Sequence, residues 1–370
     1  QLQTNKKNAG FIGDTNYFYS GNPDNYQINF LGYGHMFFNF VMAAVCVSIV
    51  SGAVAERMST TTYMLYSAFL GGFVFPVVSH WVWAAPGWLC AWQKFMGKQD
   101  LYMDVGAIDF AGSVVVHVTG ATAAAFGAWW LGPRRGRFDA EGNVQPMANH
   151  SAPMQVLGTL LLWFGFYGFN IGRVFQMGYI GYSGIAGRVA MNTTLSAASS
   201  ALLSMSIAYF KSGDYDLNAI VNGITAGLVA SCAGCAVIAP WAAVLTGFGA
   251  AVSYTLGSWF SLYLQIDDVT DAIAIHGWCG NWGAFSTALF ARGPEMLEVY
   301  KSTQVGVFYG MGNTMAANLV LICVTVCWTG AWMLLFFGAC HYADVLRISE
   351  ADEESNIVGD VELTDATNKA

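Results

Sequence analysis

Charge is what this sequence has least of. Only 10% of its 370 residues are Asp, Glu, Lys or Arg, where a soluble protein of this length carries about 25%. So little charge does not cover a water-soluble globule of this size. With 55% hydrophobic residues and a mean hydropathy of +0.46, the fitting solvent is lipid. There is no basic stripe, and the net charge of -8 comes mostly from the C-terminal tail, so nothing points to nucleic acid as a partner. No nucleophile with a base, no phosphate loop and no metal-ligand cluster is visible, so neither an enzyme nor a cofactor site finds support. Segments of roughly 10 residues alternating apolar and polar are also missing, which argues against a membrane β-barrel. Cys46, Cys232, Cys235, Cys279, Cys323, Cys327 and Cys340 lie inside apolar runs and read as small buried hydrophobes. Cys232 and Cys235 form a CxxC, but no second ligand pair accompanies it.

What is present is a series of long apolar runs, at about 34–55, 62–84, 110–132, 154–172, 189–210, 218–238, 241–264, 271–291 and 306–340, the last with room for a bend. Each approaches the roughly 20 residues that carry a helix across about 30 Å of hydrocarbon. They are too long and too numerous for a signal peptide. The expectation is an all-α membrane protein, a polytopic bundle of about nine spans. Residues 1–33 are polar and turn-rich and read as an extracellular loop, 34–342 as the transmembrane domain, and 343–370 as an acidic, solvated cytoplasmic tail. Lys and Arg divide almost evenly between the two sides. The cluster Arg134, Arg135 and Arg137 breaks the tie, placing its own loop and the tail in the cytoplasm. Two Asn-x-Ser/Thr sequons, at Asn149 and at Asn192 near a span boundary, do not decide orientation. Gly120, Ala121, Ala124 and Gly127 are spaced for close helix approach.

Ionisable groups inside such spans are costly and mark function by default. Asp109 opens the span holding His117, which an α-helix would place two turns deeper, roughly 12 Å down. An Asp ahead of an apolar helix is also an ordinary N-cap. His276 follows Asp267, Asp268 and Asp271 in the same manner, and Glu56 and Arg57 end the first span. Two neutral imidazoles facing one lumen would share a proton, one donating and one accepting. The alternative is two unrelated core histidines, each bonded to a backbone carbonyl.

Four segments make the sequence resemble the Amt/Mep/Rh ammonium transporter family, on the Amt side: Ser51-Gly52-Ala53-Val54-Ala55-Glu56-Arg57-Met58, Asp109 to His117, Gly165-Phe166-Tyr167-Gly168-Phe169-Asn170, and Asp267 to Gly277. The resemblance covers about residues 30 to 350. It implies an 11-helix fold of two inverted pseudo-symmetric halves, a homotrimer with one pore per subunit, and ammonium or ammonia as substrate. The nine spans would be the third through eleventh, with two N-terminal helices absent. By resemblance His117 and His276 are the twin pore histidines, Trp83 the aromatic of an outer recruitment site, and Phe38 an entrance aromatic. Phe169 is one of two stacked gate phenylalanines, Asp109 the acidic residue below the vestibule, and Asp268 and Asp271 the carboxylates near the cytoplasmic end. Three positions depart from the family pattern: the second gate phenylalanine falls on Met42, the small hydroxyl of the recruitment site on Arg173, and a usual Thr on Cys232.

The implied activity is transmembrane ammonium transport. Ammonium would be drawn to an aromatic vestibule by cation–π attraction and conducted as ammonia, with or without separate proton transfer. Two other readings keep the fold: a poorly conducting ammonium sensor, favoured by Arg173 and Met42, and an Rh-like neutral gas channel, disfavoured by Trp83. The membrane would be the plasma membrane.

Overall fold

The computed structural model describes residues 29–92, 100–147, 149–176 and 183–354. Most of the N-terminal loop expected at 1–33, and the tail beyond 354, lie outside the described residues. Among the described residues the chain is helical, with isolated β-bridges only. In chain order the helices are α1 (Asn29–Val54), α2 (Thr60–Phe69), α3 (Phe75–Trp83), α4 (Thr119–Leu131), α5 (Ala152–Gln176), α6 (Ser183–Ser212), α7 (Leu217–Gly234), α8 (Pro240–Tyr263), α9 (Cys279–Phe290), α10 (Gly293–Tyr300) and α11 (Asn313–Tyr342).

Among the described residues these helices group into nine rods, one for each apolar run. Alpha-helical α2 and α3 are one rod joined by a π turn at Leu70–Val74. A π segment, Ser113–Val118, leads into α4, and another, Ile273–Trp278, leads into α9. Six of the rods are long and apolar enough to cross a membrane: Tyr33–Val54, Thr60–Trp83, Ser113–Leu131, Ala152–Val174, Leu217–Gly234 and Asn313–Tyr342. The remaining three are α6, α8 and the rod of residues 273–290. The last rod is one continuous helix, α11; it starts seven residues later than expected, because Val307–Tyr309 is a separate 3₁₀ turn.

Lipid tails are as apolar as leucine, so hydrophobicity does not press these helices together; close packing does. A Cβ on Gly120 would lie 2.8 Å from the Cys46 carbonyl oxygen of α1, and one on Gly127 would lie 3.1 Å from the Phe337 ring of α11. On α7 and α8, added Cβ atoms at Gly227 and Gly247 would lie 2.4 and 2.3 Å from the Ser196 carbonyl oxygen of α6. Asn192 is fully buried on α6, and its amide donates to the carbonyls of Cys235 and Ile238 at 2.9 Å each.

One end of the bundle is tied by arginines. Arg57 is fully buried and donates to four carbonyls: Gly132 at 2.8 Å, Ala53 at 3.1 Å, Ala55 at 3.2 Å and Asp267 at 2.6 Å. Arg134 pairs with Glu56 at 2.8 Å and grips Asp267 through Nε at 2.8 Å and Nη2 at 3.0 Å. Arg347 donates to Leu131 and Pro133 carbonyls at 2.8 Å each. It also clamps Glu353 at 2.7 and 3.0 Å. The start of the acidic tail is therefore packed on the bundle, where the sequence suggested a solvated segment; Glu353 is only 2% exposed.

Candidate functional site

The centre of the site follows from two rods that enter the bundle from opposite ends. Asp109 caps the first. Its carboxylate accepts backbone N–H groups of Gly112 at 3.1 Å, Val114 at 2.9 Å and Val115 at 2.8 Å. Residues 109–112 are not helical, and Gly112 turns the chain at φ +113°. His117 is thus in the first turn of its helix, not two turns down, and that turn is π. Asp268 caps the second rod from the Arg134 end, accepting from Ala272 at 3.0 Å and Ile273 at 2.6 Å. Both histidines follow their capping Asp by eight residues, as the numbering shows for Asp109 and His117, and for Asp268 and His276.

The two imidazoles meet. Their Nδ1 atoms lie 3.1 Å apart, with ring centroids 5.0 Å apart and planes 17° from parallel. His117 is fully buried. Cys232 stands on its other side, with Sγ 3.7 Å from Nε2, while the thiol also reaches the Leu228 carbonyl at 3.3 Å.

Two rings of α5 cover His117. Phe166 stacks on it at 5.7 Å and 12°, and Phe169 at 5.5 Å and 31°. Phe166 and Phe169 also contact each other at 5.5 Å. Phe166 is thus an aromatic ring in contact with Phe169, and Met42, at the expected second gate position, is a buried side chain of α1. Spacing of three places both rings on one face of α5. That was the available signal, and it is weak in a helix apolar on most sides.

One turn beyond Phe169, Arg173 lies with Cζ 4.2 Å from the centroid of the Trp83 ring, only 6% exposed. The Trp83 indole N–H donates to the Asp109 carbonyl at 2.9 Å, which fixes its plane. A Cβ on Gly172 would lie 2.5 Å from the Phe38 ring, so Phe38 rests on bare backbone beside Arg173. Trp83, Phe38, Asp109 and Arg173 are thus brought together at one end, and a resident cation covers the tryptophan.

At the other end Asp271 is enclosed by donors: Ser258 at 2.9 Å, Tyr254 at 2.9 Å and Asn222 at 3.2 Å. Burial works against ionising the neighbouring Asp267, but the hydrogen bonds and charge of Arg134 outweigh it and hold that carboxyl below its usual range.

A polytopic helical bundle with ionisable groups paired in its interior and aromatic and acidic groups at its ends defines an integral membrane protein of the channel or transporter class. The chain belongs to the Ammonium Transporter Family, whose model matches residues 2–361. It is similar to ammonium transporter 1 member 1 of Arabidopsis thaliana, 39% identical over 332 residues, covering 87% of this chain and 66% of that protein. It is also similar to ammonium transporter 1 member 3 of Oryza sativa subsp. japonica, 41% identical, covering 87% and 67%. Among solved structures, a sensor Amt protein superposes with a TM-score of 0.80 at 28% identity, covering 94% of this chain and 81% of that one. Candida albicans Mep2 superposes with a TM-score of 0.71 at 27% identity, covering 84% and 65%. The chain spans about two thirds of the length of the curated relatives it matches.

Proposed function

We propose that the full-length protein moves ammonium across a membrane, passing neutral ammonia along the His117–His276 pair, with or without separate transfer of the proton. The observation carrying this reading is the 3.1 Å contact between two imidazoles supplied by oppositely directed helices. Taking an unpaired cation into a low-dielectric interior costs tens of kcal/mol by a Born estimate, so the proton leaves before the substrate enters. Ammonia both donates and accepts hydrogen bonds, and a neutral imidazole offers one group of each kind. Trp83, Phe38 and Asp109 form the outer mouth, Phe166 and Phe169 the constriction above His117, and Asp268 and Asp271 the opposite mouth. Met42 backs the constriction from α1.

The direction of the histidine hydrogen bond follows from Cys232. Its thiol proton points at the Leu228 carbonyl, leaving sulfur lone pairs to accept from His117. His117 then carries its proton on Nε2 and accepts at Nδ1. His276 donates from Nδ1 and keeps Nε2 as an acceptor. The assembly in this reading is a homotrimer in the lipid of the plasma membrane, with the Trp83 end outside and the Arg134 end, including the tail, in the cytoplasm.

Voltage-clamp current and labelled methylammonium uptake test it. His117→Ala and His276→Ala should each abolish uptake or change ion selectivity; wild-type uptake and selectivity in both would remove the histidines from the mechanism. The placement of Arg173 over Trp83 favours a second reading, an ammonium sensor with poor conduction. Failure of the full-length protein to support growth of a transport-deficient cell on low ammonium, with ammonium binding retained, would select it.

A further inference from the structure

The aromatic mouth is a cation seat by construction. The Trp83 indole is anchored by its N–H bond to the Asp109 carbonyl, and it is its face that meets a cation. Gly112 lets that indole approach: a Cβ there would lie 3.1 Å from Trp83 Cη2. Phe38 closes the side next to residue 172. Aromatic faces arranged in this way attract ammonium-type cations, most strongly where water is excluded. The seat is already filled, because the Arg173 guanidinium lies 4.2 Å from the Trp83 centroid.

We propose that Arg173 is a tethered cation that occupies the outer seat of this protein and competes with external cations for it. The proposal deepens the vestibule part of the reading above and rests on it. Arg173 reaches Trp83 from α5, four residues past Phe169, so the plug and the constriction belong to one helix face. A planar, permanently charged guanidinium stacks on an aromatic ring better than a lysine would, and its covalent tether keeps its local concentration high. External ammonium must displace it and also approach against its positive charge. Entry by neutral ammonia meets neither obstacle. Arg173 is therefore a specificity-determining residue: it shifts selection at the mouth from the cation toward the neutral molecule, and it excludes larger organic cations that an open aromatic seat would hold.

The test uses the full-length protein and free guanidinium ion at millimolar concentration, which copies the side chain without its tether. Labelled methylammonium uptake is measured for wild type, Arg173→Ala and Arg173→Gln, the last keeping the aliphatic stem and polarity without the charge in case the alanine variant does not fold. In both variants the half-saturating concentration should fall, by about tenfold for the loss of one aromatic-bound competitor. Added guanidinium should inhibit the variants and leave wild type unaffected, and Trp83→Leu in the variant background should abolish that inhibition. Guanidinium acting equally on wild type and variants, or on neither, would overturn the proposal. If no form conducts, thermal unfolding in detergent replaces uptake. Stabilisation of the variants alone by guanidinium then upholds the occupied seat while the transport reading fails, and no difference among them overturns both.

Discussion

At the scale of single residues, the contact that decides most is Cys232 on His117. A thiol is a weak donor and a weak acceptor, so its 3.7 Å approach to Nε2 holds the ring less firmly than an oxygen would. In the proposed tautomer its worth lies in direction, because a thiol proton given to the Leu228 carbonyl leaves lone pairs for the histidine. Cys232→Ser and Cys232→Thr keep both bonds and should retain uptake. Cys232→Ala removes the acceptor, leaves a buried Nε2–H without its partner, and should cost ~1–3 kcal/mol. Read as uptake, that is a fall of about tenfold or more at unchanged protein level, with Thr restoring it. Equal loss in all three variants would show that the site is sensitive to packing and not to the hydrogen bond. The same scale shows what sequence reasoning reaches. His117, His276, Asp109 and Asp271 are visible in the chain because polar groups stand out within apolar runs. The resemblance puts Arg173 and Trp83 at one recruitment site, but the stacking of the guanidinium on the indole is not visible, because the two lie on α5 and α3 and their relative register is set only by packing. Phe166 escaped notice for the opposite reason: one more aromatic in an apolar helix carries no contrast.

At the scale of elements, the two π segments explain how the histidines meet. Each rod starts at a buried carboxylate that gathers its first N–H groups, and each bears its histidine within the opening turn. The helix bodies lie in close contact: a Cβ on Gly280 would lie 2.5 Å from the Ser113 carbonyl oxygen, and one on Gly283 would lie 2.6 Å from the Ser113 Oγ. Apolar runs located these rods to within a few residues but not the π turns, because a stretch that is apolar all round has no periodicity to betray its winding. The caps make unequal predictions. Asp109 is 1% exposed and satisfies three N–H groups, while Asp268 satisfies two and is half-buried. Asp109→Ala should therefore destabilise the folded protein by at least ~3 kcal/mol, and Asp268→Ala by less, since each buried orphan donor costs about 1–3 kcal/mol. Asp109→Asn keeps one acceptor oxygen and should fall between wild type and alanine. Unfolding temperature in detergent measures the order; Asp268→Ala as the more damaging change would contradict this account of the caps.

At the scale of the whole molecule, the arginine-tied end couples the bundle to the acidic tail. Arg347 links the α4 terminus to Glu353, and Arg135 reaches the same region through Glu350 and a 2.7 Å pair with Glu354. The Arg135 backbone N–H donates to Glu353 at 3.1 Å, and Ile348 N–H to the Arg57 carbonyl at 3.1 Å. Burial disfavours the charged form of Glu353, but the hydrogen bonds and charge of Arg347 and Arg135 prevail and hold its carboxyl below the ordinary value of 4.5. Asp267 is likewise held below 3.8 by Arg134. A depressed folded value means that the unfolded state binds protons more readily, so above their ordinary values Glu353 stabilises the docked tail and Asp267 the bundle end on which it docks. That contribution is lost as the pH falls through the ordinary values toward the depressed ones. The tail should stay docked at neutral pH and be progressively released in acid, as the pH falls below the ordinary Glu353 value of 4.5. Arg347→Ala should release it at neutral pH, because it leaves Glu353 buried without its clamp. Limited proteolysis past residue 344 reads both: cleavage of Arg347→Ala at pH 7 should be about tenfold faster than wild type, the equivalent of ~1.4 kcal/mol of lost docking. Wild type should approach the mutant rate only in acid, measured with an acid-active protease. Equal rates for the two proteins at neutral pH would mean that the clamp contributes nothing to holding the tail.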